Sequence, residues 1–155
     1  MENQSRYDVF EPGDLTALVC VDVPDIQNAV VEQLGGLKYK IHIGLFPEDV
    51  AVKLHTHNYD VVVVYENFNE WDLETNQILH EVTNVAPELR RKQFVTLLGP
   101  SMVTNDEVQA FVYSVDLTFG LSDLSNMKSV LRRAVTRQRE FYTSFLECLQ
   151  SANLA

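Results

Sequence analysis

The sequence predicts an α/β protein: one doubly wound domain in which five parallel strands alternate with helices. Three observations carry this. Five short apolar runs recur along the chain, each followed by a segment whose apolar residues fall at helical spacing; such alternation requires a parallel sheet with helices on both faces. The third run, residues 59–65, contains the consecutive valines Val61, Val62, Val63 and Val64, and a β-branched run without polar alternation belongs in the middle of a sheet covered on both sides. The length of 155 residues, 46% hydrophobic and 22% charged, suits one folded domain of ordinary size.

Residues 1–14 are polar, contain Pro12-Gly13 and read as a tail or lead-in, leaving residues 15–155 as a single domain. The first strand is expected over residues 16–22. Ile26, Val30, Val31 and Leu34 mark one face of the next helix, with Gly35-Gly36 placed to end it, since glycine tolerates the left-handed conformation of a helix stop. The second strand lies within residues 39–46. Pro47-Glu48-Asp49 then open a helix through Val50, Val52 and Leu54, as proline suits the first helical position and acids the first turn. After the third strand a helix is expected over residues 73–85, ending near Pro87 and the basic Arg90-Arg91-Lys92. The fourth strand, residues 94–98, stops at Gly99-Pro100, and residues 104–107 start a helix carrying Val108, Phe111 and Val112. The fifth strand covers residues 117–121, and a terminal helix follows over residues 125–150.

That terminal helix is unusual. Met127, Leu131, Ala134, Gln138, Phe141, Phe145 and Cys148 follow heptad spacing, and Tyr142, Leu146 and Leu149 widen the stripe. At 1.5 Å per residue it is longer than a five-stranded domain can cover. Its first half can pack on the sheet; its second half needs another surface. A second copy of the chain is the preferred partner, because two-fold dimers are the commonest oligomers. The interface expected is Met127, Leu131, Ala134, Gln138, Phe141, Tyr142, Phe145, Leu146 and Leu149.

Composition excludes several functions. The net charge of −10 repels phosphate backbones and argues against nucleic-acid binding. Residues 125–150 are the basic exception, carrying Lys128, Arg132, Arg133, Arg137 and Arg139. No apolar run reaches membrane-span length, and no secretory signal opens the chain, so a cytoplasmic protein is expected. Cys20 and Cys148 are far apart and expected to be packed side chains rather than a disulfide.

Other motifs fail on context. His55 and His57, with His42 and His80 as further ligands, lack the Cys or carboxylate set that completes a metal site, so no metal and no cofactor is expected. Gly35-Gly36 lacks a phosphate-loop pattern around it. Ser101 and Ser125 lack the nucleophile-elbow context of a hydrolase. The loop from Asn67 to Asp72 follows the third strand, where doubly wound sheets place ligands, and Phe68 and Trp71 make it a candidate ligand lip, or a hydrophobic plug.

Residues 16–135, taken in this order, resemble the receiver domains of two-component response regulators. The residues that carry the resemblance are Val21-Asp22-Val23-Pro24-Asp25-Ile26 after the first strand and Tyr59-Asp60-Val61-Val62-Val63-Val64 in the third. It implies a flavodoxin-like sheet of order 2-1-3-4-5. It also implies a reaction: a carboxylate at the end of the third strand takes a phosphoryl group, two acids after the first strand hold Mg²⁺, and a hydroxyl and a lysine bind the phosphoryl oxygens.

This chain departs from that pattern at nearly every position. Asp22 is present, but Val21 stands where the second acid belongs. The phosphoacceptor position is Tyr65, a phenol that stays neutral at pH 7. Glu66 is next door, but neighbouring strand residues point to opposite faces. The hydroxyl position falls at Gly99, with Ser101 nearby, and the lysine position at Leu121 or Ser122. Residues 93–127 contain no lysine, arginine or histidine. Asp22, Asp25 and Glu66 remain as remnants of an acidic pocket.

The resemblance therefore implies a degenerate pseudo-receiver. It would not be an enzyme, and would act as a protein–protein interaction and dimerisation module in signalling. The family's partner face, made by the fourth helix, fifth strand and fifth helix, would here use Val108, Phe111, Val112, Phe119 and the helix beyond Ser125. A small-molecule or cofactor sensor using the carboxyl edge near Asp22, Tyr65 and Trp71 is the alternative. A receiver still phosphorylated through Glu66 is the third reading.

Overall fold

The computed structural model describes residues 8–154. Residues 1–7 of the expected lead-in fall outside them. Five parallel strands, β1 (Thr16–Cys20), β2 (Lys40–Ile43), β3 (Val61–Tyr65), β4 (Phe94–Gly99) and β5 (Leu117–Gly120), form one sheet in the order β2-β1-β3-β4-β5. Central β3 pairs with β1 and β4, and Val61, Val62, Val63 and Val64 are all fully buried, as their unalternating run requires.

Helices α1 (Pro24–Gly36), α2 (Pro47–Thr56), α3 (Gln77–Thr83), α4 (Pro87–Lys92), α5 (Glu107–Tyr113) and α6 (Met127–Leu154) connect and cover the sheet. Pro24, Pro47 and Pro87 each open a helix, where a missing N–H costs nothing. Asp106 caps α5, accepting from the backbone N–H of Val108 and of Gln109.

The elements differ from expectation in instructive places. Helix α1 ends at Gly36, where the sequence places its stop, but neither glycine is left-handed; that residue is Lys38 at φ 72°. The turn is fixed instead by burial on either side, since Leu34 and Tyr39 are both in the core. A Cβ on Gly36 would stand 3.3 Å from the Lys128 side chain, where α6 crosses. The single helix expected over residues 73–85 is α3 alone, and Pro87 starts α4 rather than ending its predecessor. The fourth and fifth helices of the expected set are thus α5 and α6.

The described part of the lead-in, from Asp8, is docked on the sheet. Asp8 pairs with the outer edge of β2, donating its N–H to the Ile41 carbonyl at 3.2 Å and accepting from the Ile41 N–H on its carboxylate at 2.8 Å. Phe10 stacks on His42 with ring centroids 3.9 Å apart.

Helix α6 runs 28 residues, roughly 42 Å at 1.5 Å per residue. The strands span only about 13–20 Å at 3.3 Å per residue. Met127, Leu131 and Val135 are buried against the domain, and the Lys128 N–H donates to the Gln33 side chain of α1 at 2.8 Å. Met127 and Leu131, expected at an intermolecular interface, are therefore core residues of their own domain. Beyond them α6 overhangs the amino edge of the sheet. Cys148, expected to be packed, is exposed there, whereas Cys20 is buried; both thiols are free. No described helix is long and apolar enough to cross a membrane.

Candidate functional site at the carboxyl edge

The carboxyl ends of β1, β3, β4 and β5 gather Asp22, Tyr65, Glu66, Gly99, Ser101 and the turn beginning at Leu121. Tyr65 ends β3, paired with Leu98, and Gly99 of β4 pairs with Gly120 of β5. Tyr65 is 8% exposed. Burial, with the carboxylates of Glu66 and Asp22 close by, raises its phenol above the ordinary value, so it stays neutral.

Glu66 is buried, and its carboxylate leans over the end of β4. Oε1 accepts from the Ser101 backbone N–H at 2.7 Å, and the side chain fills the space a Cβ on Gly99 would need. Gly99 is thus glycine because Glu66 lies on top of it. Asp22 is turned to a different task, accepting from the Asn69 N–H at 2.8 Å and so tethering the turn Phe68–Glu70. Asn69 and Glu70 both hold positive φ in that turn, at 56° and 60°. Asp25 is exposed in the first turn of α1. Asp22 and Glu66 therefore serve different neighbours, and among the described residues no three His, Cys, Asp or Glu side chains are arranged to hold a metal ion.

Phe68 does not form a lip. It is fully buried, with the half-buried Trp71 ring 6.1 Å away, so the pair plugs the core beneath the loop. Ser101 is exposed and offers its backbone rather than its hydroxyl to Glu66. Leu121 and Ser122 begin a 3₁₀ turn, Leu121–Asn126, so no cation enters from the end of β5.

Two residues that organise this edge were not singled out in the sequence. Asn76 is fully buried; its side-chain N–H₂ donates to the carbonyls of Tyr65 and Glu66 at 3.0 and 3.1 Å, while its oxygen caps α3 through Leu79. Its signal was an asparagine one residue before an apolar helical run. Thr104 accepts from the Gly120 N–H at 3.0 Å and ties the β4 loop to β5.

The histidines divide into separate settings. His42 is buried in an aromatic group with Phe10, His57 and Tyr59, its Nδ1 2.8 Å from the Tyr59 hydroxyl and its Nε2 2.9 Å from the Asp8 carbonyl. Burial lowers its pKa. His55 faces Glu81 at 3.7 Å, and His80 bonds the Glu74 carbonyl at 3.1 Å.

The partner-face residues are equally mixed. Phe119 is fully buried and unable to touch a partner. Val108, Phe111 and Val112 stand out from α5 at 73%, 87% and 63% exposure. On α6, Phe141, Leu146 and Leu149 are exposed, while Ala134, Gln138, Tyr142 and Phe145 are half-buried. A groove of about 500 Å³ separates α5 from α6 along the edge strand β5, with Asp106, Glu107 and Asp116 on one wall and Arg133 and Arg137 on the other.

No family model matches the chain, and no curated protein matches it in sequence. Solved structures do match in fold. The signal receiver domain of a DNA-binding response regulator from Colwellia psychrerythraea 34H has 22% identity and a TM-score of 0.62, over 79% of this chain and 99% of that one. An orphan response regulator of Helicobacter pylori has 15% identity and a TM-score of 0.59, over 81% and 99%. A response regulator from Burkholderia pseudomallei, solved with a phosphorylated aspartic acid, calcium ion and citrate, has 15% identity and a TM-score of 0.60, over 88% and 75%. The fold is that of response-regulator receiver domains, with strand order and alternating helices to match.

Proposed function

We propose that the protein is a receiver-fold signalling module that does not undergo phosphoryl transfer and works, without enzymatic activity, through protein contacts. Its first partner is a second copy of itself, and its free thiols suit the reducing cytoplasm. The observation that carries this reading is the state of the carboxyl edge. Its β3 terminus is a buried phenol, the carboxylates of Asp22 and Glu66 are committed to the backbone N–H groups of Asn69 and Ser101, and residues 93–127 supply no cation. Phosphoryl transfer needs concentrated positive charge on the moving oxygens, and that charge is missing.

What remains is surface. Val108, Phe111 and Val112 are exposed on α5, and Phe141 of α6 lines a groove beside that helix whose walls carry opposite charges. A two-fold axis across this face would set the acidic wall of each copy against the basic wall of the other. Leu146 and Leu149 extend the apolar strip along the overhang.

Light scattering on the wild type and on a Phe111→Glu/Phe141→Glu variant tests the dimer. The wild type is expected at twice the chain mass and the variant at the chain mass, with unchanged circular dichroism. A monomeric wild type overturns the self-association. Incubation with acetyl phosphate and Mg²⁺, read by intact mass, tests the rest. A stable gain of one phosphate would refute phosphorylation incompetence.

A further inference from the structure

We propose that the cleft at the amino edge of the sheet, between the α4–β4 junction and the overhang of α6, binds a small aromatic anion of about mononucleotide size. It lies at the opposite end of the strands from Tyr65 and Glu66, and measures about 510 Å³, within the roughly 300–1,000 Å³ of ordinary ligand sites.

Charge is the first argument. The chain carries a net −10, yet this cleft is bordered by Arg91, Lys92 and Arg139 and by one acid, Asp60. Asp60 is committed elsewhere: its carboxylate accepts from the Thr16 N–H at 2.8 Å and from the Thr16 hydroxyl at 3.3 Å. Nearby, a cation that has an acid available pairs with it, as Arg90 does with Asp116 at 2.7 Å. Among the described residues, Arg91, Lys92 and Arg139 make no ion pair. The last turn of α4 accounts for a basic Arg91 and Lys92 through the helix dipole. It does not account for Arg139, which arrives from α6 in the same cleft.

The walls give the second argument. Phe94 and Val135 form a buried floor, and Tyr142 and Leu146 rise along α6. Arg91 is positioned at the rim by the Phe145 ring, 5.2 Å from its guanidinium carbon. Guanidinium and phenol groups stack on planar rings, and ammonium and guanidinium groups hold phosphate or carboxylate oxygens. A bare anion would leave the apolar walls wet, and a neutral ring would leave the cations unanswered. A planar ring carrying an anionic group answers both.

Adenosine 5′-monophosphate is the probe, with adenosine and inorganic phosphate as its two halves, titrated into the full chain by calorimetry at about 0.1 M salt. Saturable binding of the nucleotide at one per chain is expected, with each half weaker by about tenfold or more. Lys92→Gln/Arg139→Gln should weaken it by about tenfold, whereas Lys128→Gln/Arg132→Gln, near the start of α6 and outside the cleft, should leave it within about twofold. Unchanged thermal unfolding of the variants shows that the fold is retained. Failure to saturate at millimolar nucleotide overturns the proposal. So does equal loss in both double variants, which would indicate diffuse attraction to α6. Binding of a glutamate-rich peptide in place of the nucleotide also overturns it, naming an acidic protein segment as the occupant.

Discussion

Gly99→Ala should destabilise the protein far more than its single added methyl suggests, and only while Glu66 is present. A Cβ at residue 99 would overlap the Glu66 carboxylate, which is 3% exposed and bonded to the Ser101 N–H at 2.7 Å. To make room the carboxylate must leave that bond. Losing a hydrogen bond to a charged group costs about 1.5–3 kcal/mol, and overpacking a well-filled site adds about 1–3 kcal/mol. Alanine also stiffens the unfolded chain, which offsets about 0.4–1 kcal/mol. The net expectation is a loss of about 2–5 kcal/mol, a fall of about 1 M or more in urea midpoint for a domain of this size. In a Glu66→Ala background the overlap is gone, and Gly99→Ala should be neutral or slightly stabilising. The two substitutions should therefore couple by about 2 kcal/mol or more in a double-mutant cycle. Urea unfolding of the four proteins, at constant slope, measures it. A single-variant loss below about 0.5 kcal/mol, or a penalty that persists without Glu66, would refute the packing argument.

Other consequences can be checked independently. Thr96 is fully buried, and its hydroxyl has no hydrogen-bond partner, so Thr96→Val should raise stability by about 1 kcal/mol; a destabilised variant in urea would contradict this. Asn76→Ala removes two bonds to the end of β3 and the cap of α3, and should cost about 2–4 kcal/mol, while Asn76→Asp keeps the cap and should cost less. His42 has a lowered pKa through burial, so the unfolded chain binds its proton more readily; stability should be full above about pH 6.5 and fall as pH drops toward the folded value. His42→Phe should flatten that part of the pH–stability curve. Ellman's reagent should titrate one thiol, Cys148, in the native protein and both after denaturation, because burial raises the Cys20 thiol above its ordinary range.

The sheet was legible because its signals are one-dimensional. Four successive valines can only sit where both faces are covered, and Pro47 and Asp106 mark helix starts by local chemistry alone. What was not legible depends on residues far apart in the chain. Gly35-Gly36 marked where α1 ends, but the left-handed turn falls on Lys38, where burial of Leu34 and Tyr39 on either side fixes the chain. The heptad spacing from Met127 to Cys148 was unbroken in sequence, yet the domain takes up its beginning and leaves its end. No periodicity marks where such a change occurs, because it is fixed by the length of the strands beneath. Phe68 and Trp71 read as a ligand lip or a hydrophobic plug, and the choice depends on distant residues: Asp22 and Asn76 hold the chain on either side of the buried Phe68.

The two ends of the sheet differ in how much bonding capacity they leave unused. At the carboxyl edge Asp22 serves Asn69, Glu66 serves Ser101, Asn76 serves Tyr65 and Glu66, and Thr104 serves Gly120. Gln109 closes the same loop, accepting from Val103 and donating to Ser101. An incoming anion would find the Ser101 N–H already held by a carboxylate and would have to displace it, losing about as much as it gained. Together these bonds tie the loops at the strand ends to one another and to β3, β5 and α5, which stiffens the region a phosphorylated receiver would use. At the amino edge Arg91, Lys92 and Arg139 make no ion pair among the described residues, and α6 continues past the last strand residue with an apolar strip exposed. Unspent charge and unburied apolar surface are what binding draws on. The overhang of α6 brings both to the end opposite Tyr65, and that is where we look for this protein's working surface.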